Sequence, residues 1–362
     1  MPDGVRQFPC KQCGAKVEFA PGTQVLQCPY CGDETSIPTS ADGIEEHDFF
    51  EAASDDIGQD AETEEVSSVR CQSCAALVEP SGAAEAFPCP YCGSSIVATA
   101  KSQRLIKPQA VLPFKIHRQK ATALFRGWIN KLWFAPDALK KLAQLEGRLQ
   151  GLYTPYWTYD ADTESRYIGQ RGDNYYVTKT RTVTRDGKTV RETYQDVQIR
   201  WRPASGHVSR EFDDMLVVGS TSLPRELAEA LEPWDLGNLV SYADEYLSGF
   251  RAERYQVDVR AGWIRARERM EEVIREDVKR NIGGDHQRIG TLDTAHGNIT
   301  FKHVLLPLWI CSYRYKEKIY RFLVNARTGE VQGQRPWSWV KITLTATAVA
   351  AVITMLYTYF NR

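Results

Sequence analysis

The cysteines constrain this chain more than any other feature. Cys10, Cys13, Cys28 and Cys31 form a CxxC…CxxC set with fourteen residues between the pairs. Cys71, Cys74, Cys89 and Cys92 repeat the set with the same gap. The two align without an insertion. Cys-Pro-Tyr-Cys-Gly closes both, at Cys28 to Gly32 and Cys89 to Gly93, and Val17-Glu18 falls in register with Val78-Glu79. A CxxC turn places two thiolates on one knuckle, and two knuckles complete a tetrahedron around one ion with Zn–S bonds of about 2.3 Å. Gly14, Gly32 and Gly93 follow CxxC turns, where a positive φ is often needed. An all-cysteine set leaves no coordination position open, which points to structural rather than catalytic metal.

The repeat therefore predicts two structural zinc ions in two ribbons, residues 1–38 and 69–98, held by the eight cysteines named above. Disulfides would require an oxidising compartment, and no secretory leader opens the sequence. A ribbon this small buries too little apolar surface to stand without its metal, so binding and folding are expected as one event. The ninth cysteine, Cys311, follows the apolar run Leu305 to Ile310 and reads as a small buried hydrophobe.

At 362 residues there is room for two or three domains. A net charge of −1 gives no global mark of a nucleic-acid binder. From Asp33 to Glu65 there are thirteen acidic residues and no Lys or Arg, so residues 39–68 read as an acidic, disordered linker. Within it Ile44 to Ala53 is an apolar island, either a docking motif or a transient helix without a partner. Residues 105–336 read as one α+β domain with antiparallel strands. Val111 to Ile116 reads as extended; Ala121 to Phe134, Asp137 to Leu149, Leu223 to Leu231, Leu239 to Phe250 and Trp263 to Ile282 read as helices. Tyr153 to Tyr167 reads as a strand, and Tyr175 to Arg185 with Lys188 to Trp201 as a hairpin around Asp186-Gly187. Ile289 to Val331 reads as three or four strands, with turns near His296-Gly297 and Arg327 to Gly329.

Ile342 to Phe360 is nineteen residues without a charge, enough at about 1.5 Å per residue to span a bilayer core of about 30 Å. Trp337 and Trp339 precede it and Tyr357 and Tyr359 close it, as an aromatic belt would. The expectation is a single-pass, tail-anchored protein. Arg327, Arg335 and Lys341 on one side outweigh Arg362 on the other, which places the bulk in the cytoplasm.

Tests for chemistry find little. Gly187-Lys188-Thr189 lacks the first glycine of a phosphate-binding loop, since Thr182 stands there, and it lies in a hairpin rather than between strand and helix. Asp285 and His286, with His296 or His303, could form an acid–base pair; a glycine-rich turn with polar capping explains the same residues. Arg166 to Arg202 holds nine Lys or Arg against four Asp or Glu, a net +5. Interleaved with Tyr175, Tyr176, Tyr194 and Trp201, this stretch could meet anionic lipid beside the anchor or nucleic acid, or be a solvated hairpin.

The phrases Pro155 to Asp160, Phe212 to Asp214, Pro233 to Leu236, Ile282 to Ile289, Lys302 to Trp309 and Asn325 to Pro336, together with the ribbons, resemble one bacterial group. These are membrane-anchored proteins with TFIIB-type zinc ribbons, often labelled primosomal protein N′ or superfamily II helicase. More distantly the chain is similar to zinc-ribbon membrane partners of SPFH (flotillin-like) and phage-shock systems. The resemblance implies the eight zinc ligands, no catalytic residues, and a flotillin-like protein partner. Without a phosphate-binding loop the helicase label implies no motor. The reading reached is a non-enzymatic adaptor at the cytoplasmic face of a bacterial membrane, whose ribbons recruit protein partners. The alternative is a zinc-ribbon nucleic-acid-binding protein without its own ATPase motor.

Overall fold

Short strands form between the cysteine pairs, where alternating apolar residues have a neighbour to pack against. In the computed structural model, which describes residues 8–38, 43–53, 63–74, 76–78, 86–97, 101–136, 149–185, 188–315 and 318–360, β1 (Glu18–Phe19), β2 (Val25–Gln27) and β3 (Glu34–Ser36) make an antiparallel sheet. Val17, Phe19, Leu26 and Ile37 are buried beside it. Phe19 packs edge-on against Tyr246 at 5.3 Å, so this first ribbon is seated on the body rather than standing free.

Next come β4 (His47–Asp48) and the single helical turn α1 (Phe49–Ala53). β4 pairs with Thr300 and Phe301, and Asp48 Oδ1 accepts from the N–H groups of Phe50 and Glu51 at 2.7 and 3.1 Å. Phe49 is buried with its ring 5.4 Å from Trp263. The apolar island of the acidic stretch thus docks on its own chain, in a segment expected to be disordered. Burial of Phe49 and the Glu46–Lys302 ion pair hold it there. Residues 39–42 and 54–62 of that stretch lie outside the described residues.

β5 (Thr63–Arg70), β6 (Leu77–Val78), β7 (Ala86–Pro88), β8 (Ser95–Val97) and β9 (Lys101–Ile106) build the second ribbon and its mount. β5 and β9 pair antiparallel from Thr63↔Ile106 to Ser68↔Lys101. They form a two-stranded stem that carries the chain into the cysteine module and out again.

The body follows with β10 (Ala110–Val111), α2 (Arg118–Lys131), β11 (Gln150–Arg185), β12 (Lys188–Val218), α3 (Arg225–Glu229), β13 (Val240–Ser241) and β14 (Arg251–Ala252). It ends with α4 (Val259–Ile282), β15 (His286–Tyr315), β16 (Lys318–Asn325), β17 (Val331–Gly333) and α5 (Trp339–Phe360). β11 is the axis, with antiparallel partners β12 on one side and β15 on the other. The sheets are largely antiparallel; the β10–β15 and β11–β14 pairs are parallel. The class is mixed α and β, with far more strand than helix.

From Leu152 to Tyr159 every residue of β11 is buried, because elements cover both faces there. Such a strand reads as an unbroken apolar and aromatic run rather than an alternation. Beyond Asp160 the pattern changes to strict alternation, and only one face, under α4, is covered. The change falls on a belt of bulges. Register shifts at Asp160 against β12 and at Ala161 against β15, and Asp214 and Asn298, one on each flanking strand, have φ of +51° and +48°. Asp and Asn tolerate that left-handed conformation better than other side chains. After Gly172 and its partner His286 the third strand ends, and β11 with β12 continues alone as a two-stranded arm to Arg185 and Lys188. Asp186-Gly187 itself lies outside the described residues.

α4 carries Val259, Trp263, Ala266, Met270, Ile274, Val278 and Ile282 on one buried stripe. Asp258 caps its start by accepting from Ala261 N–H at 2.8 Å, and Gly283, at φ +66°, ends it. Other helix expectations need correcting. Leu223 to Leu231 contains only the five-residue α3. Leu239 to Phe250 is β13, a 3-10 turn at Asp244–Leu247 and loop. Its apolar residues answer to neighbours instead of a helical stripe: Tyr246 meets Phe19, and Phe250 stacks on Phe114 at 4.0 Å. His296-Gly297 is no turn, since β15 runs straight through it and the irregularity falls at Asn298. Asp137 to Arg148, most of another expected helix, lies outside the described residues.

α5 is 22 residues long and long and apolar enough to cross a membrane. Its threonines return their hydroxyls to the helix backbone, as in Thr347 to Thr343 O at 2.6 Å. Lys341 Nζ donates to Ala135 O at 3.0 Å and Ser338 N–H to Phe134 O at 2.8 Å. The helix therefore leaves the body beside the end of α2, at the Gln150 end of the sheet. The basic hairpin tip lies at the opposite end of β11, on the order of 100 Å away along a strand rising about 3.3 Å per residue. It is not beside the apolar helix, as the lipid reading of that hairpin required.

Candidate metal centres

Each knuckle folds through backbone hydrogen bonds that ignore the rest of the chain. Gly14 N–H donates to Cys10 O at 2.9 Å, Gly32 to Cys28 O at 3.0 Å and Gly93 to Cys89 O at 2.8 Å, with φ of +72°, +76° and +73°. Among the described residues two four-cysteine sets converge: Cys10, Cys13, Cys28 and Cys31, and Cys71, Cys74, Cys89 and Cys92. In each, all four Sγ atoms lie within 4.8 Å of one another. Sγ atoms stand 3.5 Å apart for Cys10–Cys31 and Cys13–Cys28, and 3.5 and 3.6 Å for Cys71–Cys92 and Cys74–Cys89. A tetrahedral ion with bonds of about 2.3 Å needs sulfurs about 3.8 Å apart, so both sets can hold a metal ion. No cysteine is in a disulfide. The backbone N–H of Cys31 holds Cys28 down to about 6, and the Cys89 thiol holds Cys74 down to about 5.

The two centres share their chemistry and differ in their setting. In the first, Cys10 and Cys28 are buried but Cys13 and Cys31 are exposed, with Lys11, Gln12, Gly14, Pro29 and Gly32 around them. Tyr30, between the second pair of cysteines, is 83% exposed. This ribbon meets the body through the end away from its metal. Phe19 N–H donates to Ser248 O at 2.9 Å, Ser248 Oγ to Val17 O at 2.7 Å and Gly22 N–H to Phe114 O at 2.8 Å.

The second centre is turned the other way. Cys71, Cys89 and Cys92 are buried and Cys74 is half-buried. Tyr91, which matches Tyr30 in the repeat, is 0% exposed. Its hydroxyl donates to Glu253, a fully buried carboxylate that also accepts from Ser220 Oγ at 2.8 Å, Gln256 Nε2 at 2.8 Å and Ser222. Arg321 Nε donates to Tyr91 O at 2.9 Å and Arg251 to Pro88 O at 2.9 Å, with Arg251 over the Phe87 ring. Burial pushes the Glu253 carboxyl up to about 7 against those hydrogen bonds. Nothing in the sequence around Glu253 marks this role; the pairing of Tyr91 with a residue 162 positions later is made by the fold.

The other sequence candidates do not assemble. Asp285 Oδ2 accepts from Asn174 N–H at 2.7 Å and His286 Nε2 meets Asn174 Oδ1 at 3.0 Å; together they clasp the root of the arm where the third strand ends. His286, His296 and His303 lie on one strand, so at about 3.3 Å per residue they stand roughly 33 and 56 Å from His286. His303 is buried, with Nδ1 3.1 Å from Ile106 O, and desolvation holds it down to about 3. A third acidic group, Asp160, Asp213 and Asp214, is already served by a cation of the chain. Lys302 Nζ lies 2.9 Å from Asp214, 2.8 Å from Glu46 and 4.0 Å from Asp160. Cys311 is buried, as expected.

No family model matches the chain. A Bacillus subtilis (strain 168) protein, Uncharacterized protein YdjG, is 26% identical over 259 residues, which covers 69% of this chain and 70% of that protein. That similarity extends over most of both chains and carries no function with it.

Proposed function

We propose that the protein is a non-enzymatic adaptor, with two structural zinc ions in its four-cysteine centres and α5 as a single-pass anchor in a bacterial cytoplasmic membrane. Its ribbons recruit protein partners, of which a flotillin-like protein is one, at the cytoplasmic face. One observation carries the reading: the first ribbon is fixed to the body by its far end and presents its metal end to solvent. A closed all-cysteine centre does no chemistry itself, and a rigid exposed knuckle is a surface for recognition. The first ribbon is a fixed projection from the body, which lowers the entropic cost of binding.

The nucleic-acid reading has less support. On the basic arm Lys179 pairs with Asp196 and Arg181 with Glu192, and Arg200 and Arg181 lie over Tyr175 and Tyr194. Those cations and rings are engaged with one another rather than arrayed for phosphates and bases.

The test is co-purification of the intact protein from solubilised membranes at native abundance, against a Cys13→Ser/Cys31→Ser variant that empties the first centre through its two exposed ligands. A protein partner that depends on that centre is expected. Recovery of the same proteins by both forms would refute the adaptor reading, and retention on DNA or RNA that weakens steeply with salt would favour the alternative.

A further inference from the structure

The internal repeat places one knuckle, Cys-Pro-Tyr-Cys-Gly, twice in one molecule, in two different states. In the second ribbon it is docked. Tyr91 inserts fully, its hydroxyl on Glu253, while an arginine from β16 reaches its carbonyl. In the first ribbon the same five residues face solvent, and Tyr30 is 83% exposed. An exposed tyrosine carries a large apolar face and a hydrogen-bonding tip with only two rotatable bonds to restrain, which suits it to anchor an interface. The chain thus contains a worked example of how this knuckle is received: an apolar pocket with a carboxylate at its base and an arginine at its rim.

From this we infer that the Tyr30 knuckle is the docking tip of the first ribbon, and that its partner is a protein presenting a pocket of the kind that holds Tyr91. That pocket has apolar walls, a buried Asp or Glu to accept from the tyrosine hydroxyl, and an Arg to donate to its carbonyl. A second copy of this chain is not the occupant, because its own Tyr91 fills the matching pocket. The inference deepens the adaptor reading and rests on it. It names the surface and the chemistry of the partner.

The test uses the full-length protein in membranes of the cell it comes from, with a photo-crosslinking phenylalanine analogue in place of Tyr30. The expected product joins position 30 to one protein, and changing a single Asp or Glu at that site to its amide weakens the partner's binding to the native Tyr30 form about tenfold, as loss of a hydrogen bond to a charged group does. In parallel, Tyr30→Ala is expected to keep two metal ions per chain and the native melting temperature while losing the partner. Tyr30→Phe is expected to bind about tenfold more weakly than the native protein. Crosslinking only to lipid or only to a second copy, or binding of the native form that is insensitive to every carboxylate near the crosslinked site, would overturn the inference. If Cys13→Ser/Cys31→Ser loses the partner and Tyr30→Ala keeps it, the knuckle assignment is wrong and the adaptor reading stands. If both variants keep every partner, both are wrong.

Discussion

Cys13 and Cys31 are exposed, whereas their counterparts Cys74 and Cys92 are half-buried and buried. Exposure governs how readily a thiol reagent or chelator reaches a bound ion, because the shell around a site controls access to it. One metal equivalent is therefore expected to leave about tenfold or more faster than the other when the protein is titrated with a mercurial and a colorimetric chelator. Cys13→Ser should hold one equivalent with the body folded. Cys89→Ser should lose the fold as well, because that ligand is fully buried in a core cluster it shares with the central strands of the body and metal binding there is folding free energy. Circular dichroism and metal analysis of the two variants check this. Glu253 sets a second expectation. Its folded value of about 7 lies above an ordinary 4.5, so between those limits the folded chain keeps a proton that the unfolded chain has released. The contribution of Glu253 to stability is full below about pH 4.5 and is lost as pH rises through 7. Glu253→Gln removes that loss, so its melting temperature relative to the native protein should rise between pH 5 and 7.5. A flat difference would show that the carboxyl is ionised throughout.

At the scale of elements the long strands behave according to what covers them. β11 is buried on both faces from Leu152 to Tyr159, alternates from Ala161 to Gln170, and runs into the arm beyond. The arm is joined to the rest by the Asp285–Asn174–His286 clasp at its root. Replacing residues 174–199 by an Asn-Gly turn between Asp173 and Arg200, which are already paired, should leave the fold and both metal ions in place. The cost is expected within about 1 kcal/mol, as for changes away from a core. Chemical denaturation of the shortened protein measures it, and collapse of the body would show the arm to be part of the fold. The hairpin itself was legible from Asp186-Gly187 and its flanking alternation. The length of β15 was not, because Gly297 and Asn298 look like turn residues, and only pairing with β11 shows them to be a bulge in a continuous strand. The same holds for Leu239 to Phe250, where apolar residues at near-helical spacing belong to three separate contacts.

For the whole molecule the decisive fact is that both cysteine modules are seated on the strand-rich body, while the apolar helix leaves it. α5 leaves the sheet at one end and the arm projects from the other. The intact protein is expected in the alkali-resistant membrane pellet, and a form ending at Arg335 in the soluble fraction with two metal ions still bound. Sedimentation and metal analysis decide it; a shortened form that still pellets with membranes would place the attachment elsewhere.

Sequence alone determined the features whose cause is local. Knuckle spacing places four sulfurs around one ion whatever lies beyond, an uncharged run of nineteen residues carries its own solubility, and the helical stripe of α4 states its own buried face. Tertiary structure decided everything that depends on what meets what. It docked Phe49 of an acidic segment, filled the Asp160–Asp214 cluster with Lys302, and separated the three histidines along one strand. It also gave one tyrosine of a perfect repeat to Glu253 and left the other in water. The two knuckles are identical from Cys to Gly, so no local rule can tell them apart. Their difference is set by orientation on the body, a property of the folded chain alone.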